Sequence, residues 1–159
     1  MTTFWSAVVG GIAGTLVMTT MARSASELGL TRMDLPFLLG TAVTDNRRKA
    51  KAIGYCLHFA LGVAFALAYW AFFEAVGWSS WWTGAAIGAL QALFTGTVLV
   101  NVLLPIVHPR MGTPDTAAND VTLLEPPGFL MLNYGRNAFL VSLIAHVVYG
   151  AIVGWTIRV

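Results

Sequence analysis

The hydrophobic positions of the chain fall into four long blocks, close to residues 4–22, 51–73, 81–107 and 137–158. Each block has the roughly 20 residues that a helix needs to cross the hydrocarbon core of a bilayer. Four segments are too few to close a β-barrel, and every backbone amide in lipid needs a partner within the protein. The pattern therefore predicts an all-α protein, an integral membrane four-helix bundle that forms a single transmembrane domain over residues 1–159.

The segments between the blocks predict two long loops, 23–50 and 108–136, and one short connection, 76–80. The short connection predicts that the second and third helices form a tight pair. Each long loop has a proline followed closely by Phe-Leu, at Pro36 and at Pro127, which predicts a short interfacial or re-entrant element. Composition agrees with a membrane protein, because 10% of the residues are charged against about 25% in soluble domains.

Basic residues are concentrated in and beside the two long loops. Arg158 alone, of the nine Lys and Arg, lies beyond them. Positive residues accumulate in cytoplasmic loops, so both long loops are predicted to be cytoplasmic and both termini to be outside. The basic run beside the second block is predicted to anchor that helix against anionic lipid head groups; it comprises Arg47, Arg48, Lys49 and Lys51. This topology accounts for the pI near 9.0, and no nucleic-acid partner is predicted.

Tryptophans mark the opposite end of the predicted helices. Tryptophan is enriched at the interfaces between membrane and water. The six form a belt on the side that carries the termini, which agrees with the orientation given by the basic residues: Trp5, Trp70, Trp78, Trp81, Trp82 and Trp155.

Two histidines stand in the same setting on two different predicted helices. His58 begins a run of small residues at every fourth position, Gly62 and Ala66, and His146 begins the same run with Gly150 and Gly154. Residues at this spacing share one helix face, and small residues on a face let another helix approach closely.

The first and third helices carry small residues of their own, at Gly10 and Gly14 and at Gly84 and Gly88. Both pairs have the GxxxG spacing of close helix contacts. Together with the histidine-led runs, they predict an internal duplication. Each half would contain two spans, so the chain is predicted to form two parallel helix-hairpin repeats related by an axis along the membrane normal.

The histidines are predicted to lie about 10–15 Å inside the membrane, given the helical rise per residue. An ionisable group at that depth usually faces the bundle interior. The pair could be axial ligands of haem b or a chlorin, or hold a quinone head group, with the small residues leaving room for a flat macrocycle. It could instead bridge helices by hydrogen bonds. The predicted polar partners between helices are Thr15, Thr19, Thr97 and Asn101, with Ser142 on the fourth helix.

No other group of residues matches known chemistry. There is no phosphate-binding loop and no nucleophile motif, so no enzyme is predicted. The acidic residues and histidine of the second loop match no dedicated metal spacing and are predicted to be solvated; they are His108, Asp115, Asp120 and Glu125. Met18 and Met21 share one helix face and are predicted to pack rather than to bind metal.

Several motifs resemble those of a known group of proteins. The GxxxGT start from Gly10 to Thr15, the loop Met-Asp-Leu-Pro-Phe-Leu-Leu-Gly at 33–40 and the paired HxxxG helices are similar to those of small bacterial four-span membrane proteins of unassigned function. The resemblance covers most of the chain. It implies a location in the bacterial inner membrane and transfers no catalytic residues.

The first functional hypothesis is a non-catalytic accessory subunit of a larger membrane complex, in respiratory or photosynthetic energy transduction. A 17.0 kDa bundle has little interior for a site, and its small-residue strips exceed what its own packing needs. One alternative is a small electron-transfer protein that binds haem b or a chlorin through His58 and His146. The other is a homo-oligomeric channel, or a transporter of lipid or small molecules, that self-associates through Gly84 and Gly88.

Overall fold

The structure, a computed structural model, describes residues 3–111 and 124–159. It is 79% helix, and the residues it describes contain no strand. Four helical stretches are long and apolar enough to span a membrane, which confirms the predicted class of multi-span helical bundle. The elements are α1 (Thr3–Glu27), α2 (Leu35–Thr41), α3 (Arg47–Val76), α4 (Trp81–Phe94), a π-helical stretch (Thr95–Leu103), α5 (Leu104–Val107), a 3-10 helix (Phe129–Tyr134) and α6 (Ala138–Thr156).

Local sequence sets the ends of α3 and α4. The Asn46 side chain accepts hydrogen bonds from the first-turn amides of α3 at 3.1 Å, as expected of an N-cap. α3 ends at Gly77, whose φ of 69° is the left-handed conformation that glycine adopts at a helix C-terminus. Ser80 and Thr83 then form a capping box that starts α4. The chain therefore reverses within residues 77–80.

The third span is a continuous helical stretch whose middle part is π-helical, from Thr95 to Leu103. A proline follows at position 105, and its ring would clash with the carbonyl of Asn101 in a regular α-helix. The wider turn of a π-helix relieves such a conflict. The Asn101 side-chain amide donates to the carbonyls of Gly96 and Thr97 at 2.8 and 3.2 Å, so the stretch is also held by its own side chain.

The spanning helices pack in the order α3, α1, α6, α4, and α1 runs antiparallel to both α3 and α6. The predicted tight pair of the second and third helices is wrong, because α3 and α4 scarcely contact each other. A short connection fixes only the ends of two helices. Glycine strips allow closer contact, and they direct α3 to α1 and α4 to α6.

The eight predicted small residues all lie where two helices meet. On α1, Gly10 faces Thr156 and Gly14 faces Tyr149, both on α6. The other six pair α1 with α3 or α4 with α6: Gly62 against Thr15, Ala66 against Gly11, and Gly84 and Gly88 against the α6 backbone around Gly150 and Gly154. These strips are therefore occupied by contacts within the chain.

A buried aromatic cluster fills the half of the bundle nearer the tryptophans. Tyr69, Phe73 and Tyr149 are each at most 4% exposed, and the rings of Tyr69 and Tyr149 meet edge to face with centroids 6.0 Å apart. The Tyr149 hydroxyl donates to the Gly62 carbonyl, joining α6 to α3. The Tyr69 hydroxyl donates to Oε1 of Gln91 at 2.8 Å, joining α3 to α4. Tyrosines rather than histidines thus form the hydrogen bonds between spanning helices.

Replacing Tyr149 with phenylalanine is expected to destabilise the bundle by about 1 kcal/mol, because one buried interhelical hydrogen bond is lost while the ring stays. Thermal unfolding of the detergent-solubilised protein measures the effect. Tyr55→Phe is the matched control, since its hydroxyl meets only Arg23, at 3.5 Å and in an exposed position. Equal midpoints for both variants would contradict the assigned role of the Tyr149 hydroxyl.

The short helix α2 lies flat against the first turns of α3. A Cβ added at Gly40 would overlap the carbonyl of Ala50, and one added at Gly54 would overlap the carbonyl of Pro36. Only glycine permits this approach of two backbones. The element expected at Pro36 is therefore a helix that packs on α3.

His108 fixes α2 to the end of the third span. It is 2% exposed, its Nε2 donates to the Leu38 carbonyl at 3.0 Å, and its Nδ1 accepts from the Arg110 amide at 3.2 Å. The prediction that this residue is solvated is wrong, because its ring is buried against α2, where it contacts Leu38 and Thr41. Glu125 is exposed and pairs with Arg32, whereas Asp115 and Asp120 lie outside the described residues.

The first long loop, just before α2, is hydrogen-bonded to the second long loop at the 3-10 helix. The Arg32 amide and the Thr31 hydroxyl donate to the Tyr134 carbonyl at 2.7 and 3.2 Å. Tyr134 donates in turn to the Glu125 carbonyl at 2.8 Å, and burial raises the pKa of its hydroxyl, with the Glu125 carboxylate adding to the effect. The described parts of the two loops are thus connected to each other at the basic end of the bundle.

Candidate functional site: a cavity that holds both histidines

A cavity of about 190 Å³ lies among α1, α3 and α6 at the basic end of the bundle. The loop before α2 and the 3-10 helix complete its wall. Its outer part is lined by polar and charged side chains, namely Arg23, Ser26, Glu27, Asp34, Lys51 and Tyr55. Its inner part is lined by both membrane histidines, by hydroxyl side chains and by methionines, namely His58, His146, Thr19, Thr95, Ser142, Met18, Met33 and Met131.

Charges at the mouth are arranged as two opposite pairs. Arg23 Nε lies 2.9 Å from Glu27 Oε1, and Lys51 Nζ lies 3.9 Å from Asp34 Oδ2. All four side chains are about half exposed, so the pairs contribute little to stability. They keep the mouth polar and close to neutral overall.

His146 has a defined tautomer. Its Nδ1 lies 2.8 Å from the carbonyl oxygen of Ser142, one turn earlier on α6. Because a carbonyl can only accept, Nδ1 carries the proton, and the Ser142 hydroxyl lies 3.2 Å from the same atom. Nε2 of the neutral ring therefore has a free lone pair. The side chain is oriented by its own helix and keeps one nitrogen available to a ligand.

His58 differs from His146 in its hydrogen bonding. Its side chain is buried, with 6% of the residue exposed, and no residue in the described part of the chain forms a hydrogen bond with its ring. A buried polar group normally has a partner. Since His58 and His146 line the same cavity, the structure brings the two sequence-predicted residues together.

Within residues 3–111 and 124–159, the predicted polar partners of the histidines form no side-chain hydrogen bond to another spanning helix. Thr15, Thr19 and Thr97 each donate to the carbonyl four residues earlier, at 2.6 Å, and Asn101 donates within its own π-helical stretch. Ser142 likewise bonds within α6. Serine and threonine in apolar helices readily satisfy themselves in this way. The expectation of side-chain hydrogen bonds from these residues to other helices is therefore wrong.

The strips beside the histidines leave no room for a macrocycle. Gly62, four residues beyond His58, is covered by Thr15, and Gly150 is covered by the backbone of Gly84. The cavity itself is smaller than the roughly 300–1,000 Å³ of pockets for drug-sized ligands. A haem or a chlorin is larger than such a ligand, so the residues that the structure describes do not fit it.

Three methionines complete the inner wall and were not predicted as site residues. Met18, Met33 and Met131 are all at most 8% exposed. No local spacing pointed to Met33 or Met131, and Met18 was predicted to pack against its neighbours together with Met21. Met131 and its neighbour Leu130 both have left-handed backbone conformations, with φ of 58° and 51°. Such conformations are unfavourable for residues with a Cβ and concentrate at functional sites.

The predicted lipid-anchoring residues lie together on the first two turns of α3, and all are exposed: Arg47, Arg48, Lys49 and Lys51. The Arg47 guanidinium lies over the ring of Phe37 at 5.8 Å. Lys51 reaches the mouth of the cavity through its contact with Asp34. The basic run is therefore next to the cavity entrance.

Comparison with known proteins adds no assignment. No protein-family model matches the chain, and neither a curated protein nor a solved structure matches it.

Proposed function

We propose that the chain is a multi-pass protein of the bacterial plasma membrane that binds a small ligand in the histidine-lined cavity. The observation that carries the proposal is the buried pair His58 and His146 at the inner wall of a cavity with a polar mouth. The ring nitrogens of His58 have no hydrogen-bond partner among the described residues and are not fully enclosed, so they are accessible from the cavity that His58 lines, and a ligand there would supply a partner. The proposed activity is binding, without catalysis.

We propose further that the ligand enters from the cytoplasm. The cavity mouth lies at the end of the bundle that carries the basic loops, and basic loops favour the cytoplasmic side. Both termini are then outside, beside the tryptophans. The two helix pairs, α1 with α3 and α4 with α6, support two parallel hairpin repeats, because each pairs a GxxxG helix with a histidine-led helix.

The other functional hypotheses depended partly on small-residue strips that would be free to contact further chains. Small-residue strips were expected to be available for partner subunits, but they are occupied inside the chain. The strip at Gly84 and Gly88 is covered by α6, so self-association of the folded chain through it is not expected. Membership of a larger complex stays a prediction, and it is tested by identifying chains that co-purify from native membranes in mild detergent.

Cysteine labelling tests whether the cavity is open to water. Ala145 lines the cavity and is 2% exposed, while its neighbour Ile144 is 47% exposed and does not line it. In a Cys56→Ser background, the Ala145→Cys variant is expected to react at least about tenfold faster than Ile144→Cys with a charged methanethiosulfonate, because a thiol in lipid does not ionise.

The same variants show which face of the membrane the cavity opens to, when the reagent is added to one face at a time. Faster reaction of Ala145→Cys from the cytoplasmic face of sealed vesicles would support both the cavity and its proposed direction. Reaction from the opposite face would reverse the topology. Equal, slow reaction of both variants would show that no hydrated cavity exists and would overturn the proposed function.

A further inference from the structure

We infer that the ligand of the cavity is a soft monovalent metal ion, Cu(I), held by His58 and His146 together with thioether sulfurs of Met18, Met33 and Met131. The inference rests on the proposed function and names the ligand class of the same site.

The composition of the cavity wall is the first observation. The chain has six methionines and three histidines. Three of the methionines and two of the histidines line this one cavity, although they come from α1, α3, α6 and both long loops. Packing alone does not require the sulfur-containing and imidazole side chains to converge. Thioether and imidazole ligands together are the set that Cu(I) prefers.

The geometry of the histidines is the second observation. A histidine that ligates a metal usually donates its other ring N–H to a carbonyl or carboxylate. His146 has this arrangement, with Nδ1 bonded to the Ser142 carbonyl at 2.8 Å and Nε2 left with its lone pair. His58, 6% exposed, has no hydrogen-bond partner among the described residues. Both imidazoles are thus free to provide a nitrogen to an ion in the cavity.

Charge favours a monovalent ion over a divalent one. The proposed ligands are all neutral, so the bound ion would bring its full charge into the membrane. The cost of placing a charge in a medium of low polarity rises steeply with that charge. Harder divalent ions also prefer carboxylates, and no group of three or more His, Cys, Asp and Glu that could hold a metal occurs in the described residues.

The mouth of the cavity is compatible with entry of a cation. The carboxylates of Glu27 and Asp34 lie there, each paired with a neighbouring basic side chain. Met33 directly precedes Asp34 in the chain. The mouth therefore combines carboxylate oxygens with a methionine that is their neighbour in sequence and lines the same cavity.

Copper binding by the purified full-length protein tests the inference. Cu(I) is titrated under anaerobic, reducing conditions against a chromogenic Cu(I) chelator. We expect one ion per chain and an X-ray absorption spectrum with both nitrogen and sulfur neighbours. Met18→Leu and Met131→Leu are expected to lower the affinity for Cu(I) by about tenfold or more, as is usual when a metal site is disturbed. Leucine nearly conserves the volume of methionine.

Two other methionines provide matched controls. Met21 lies on the same helix as Met18, and Met111 is 5% exposed, but neither lines the cavity. Met21→Leu and Met111→Leu are expected to bind Cu(I) as the unmodified protein does. His58→Ala and His146→Ala are each expected to reduce the nitrogen contribution to the absorption spectrum, the double variant to abolish it, and the Met→Leu variants to reduce the sulfur contribution.

The possible outcomes separate the two proposals. Absence of Cu(I) binding, or binding that none of the cavity variants alters, overturns the metal inference. If Ala145→Cys is nevertheless labelled rapidly, the cavity is open to water, and the proposed function survives with a ligand of another class. If labelling also fails, both proposals fall.

Discussion

Replacing Gly84 with leucine is expected to produce the largest loss of stability in this protein. Gly84 lies against the carbonyl of Gly150, and an added Cβ would be 2.9 Å from the Cα of Gly154. Neither neighbour is a flexible side chain, so the two backbones must separate. Overpacking of a close contact typically costs about 1–3 kcal/mol, and here we expect about 3 kcal/mol or more, because the α4–α6 contact is the most extensive in the bundle.

Thermal unfolding in detergent measures this effect, and Ala86→Leu is the matched control. Ala86 lies two residues further along α4 and is exposed, so the added side chain meets no neighbouring helix. Its midpoint is expected to stay within a few degrees of the unmodified protein. A Gly84→Leu variant as stable as Ala86→Leu would show that α4 and α6 do not pack through this strip.

Replacing Gly54 with leucine is expected to have the largest effect on the site without dismantling the spanning bundle. An added Cβ would overlap the Pro36 carbonyl and push α2 away from α3. Met33 and Asp34 directly precede α2 and line the cavity, so they would move with it. We expect the affinity for Cu(I) to fall by at least about tenfold, while the helix content measured by circular dichroism stays nearly constant.

Ala52→Leu is the control for this second prediction, since Ala52 is exposed on the same turn of α3. It is expected to leave both copper affinity and helix content unchanged. If Gly54→Leu bound Cu(I) normally, the loop before α2 would not contribute to the metal site, and Met33 would have to be removed from the proposed ligands.

The spanning helices were predictable because bilayer thickness limits their length and apolar content marks their position. Their ends were less accurate. The second block was predicted at 51–73, whereas α3 runs from Arg47 to Val76. The apolar block that marks this helix begins only after the basic residues, whereas the helix itself extends toward the N-terminus as far as its cap at Asn46. The π-helical stretch was not predicted either, although Pro105 signals a disturbance one turn earlier.

Helix neighbours could not be predicted from connectivity. α3 and α4 are joined by residues 77–80, yet each packs on a helix from elsewhere in the chain. The small residues did indicate which faces make close contacts. They did not indicate which face meets which, because GxxxG spacing occurs on several helices and fits any of them equally well.

The site was predictable in part. His58 and His146 were recognised from their position inside apolar helices and were predicted at similar depth, but only the packing of α1 on both α3 and α6 brings them to one cavity. Their threonine partners were predicted wrongly, because a hydroxyl on a helix can always bond to its own backbone. The methionines at 33 and 131 were missed, since only the folded loops bring them to the cavity, and Met18 was predicted to pack rather than to bind metal.

The packing order also has a consequence for biogenesis. α4 depends on α6 for its close contacts, and α6 leaves the ribosome after α4. The first three helical elements can assemble as soon as α3 is inserted, whereas α4 must remain in the bilayer without its partner while residues 108–136 are synthesised. The second half of the bundle is therefore completed only after translation of the C-terminal helix, and chains that end before α6 leave the glycine face of α4 exposed to lipid.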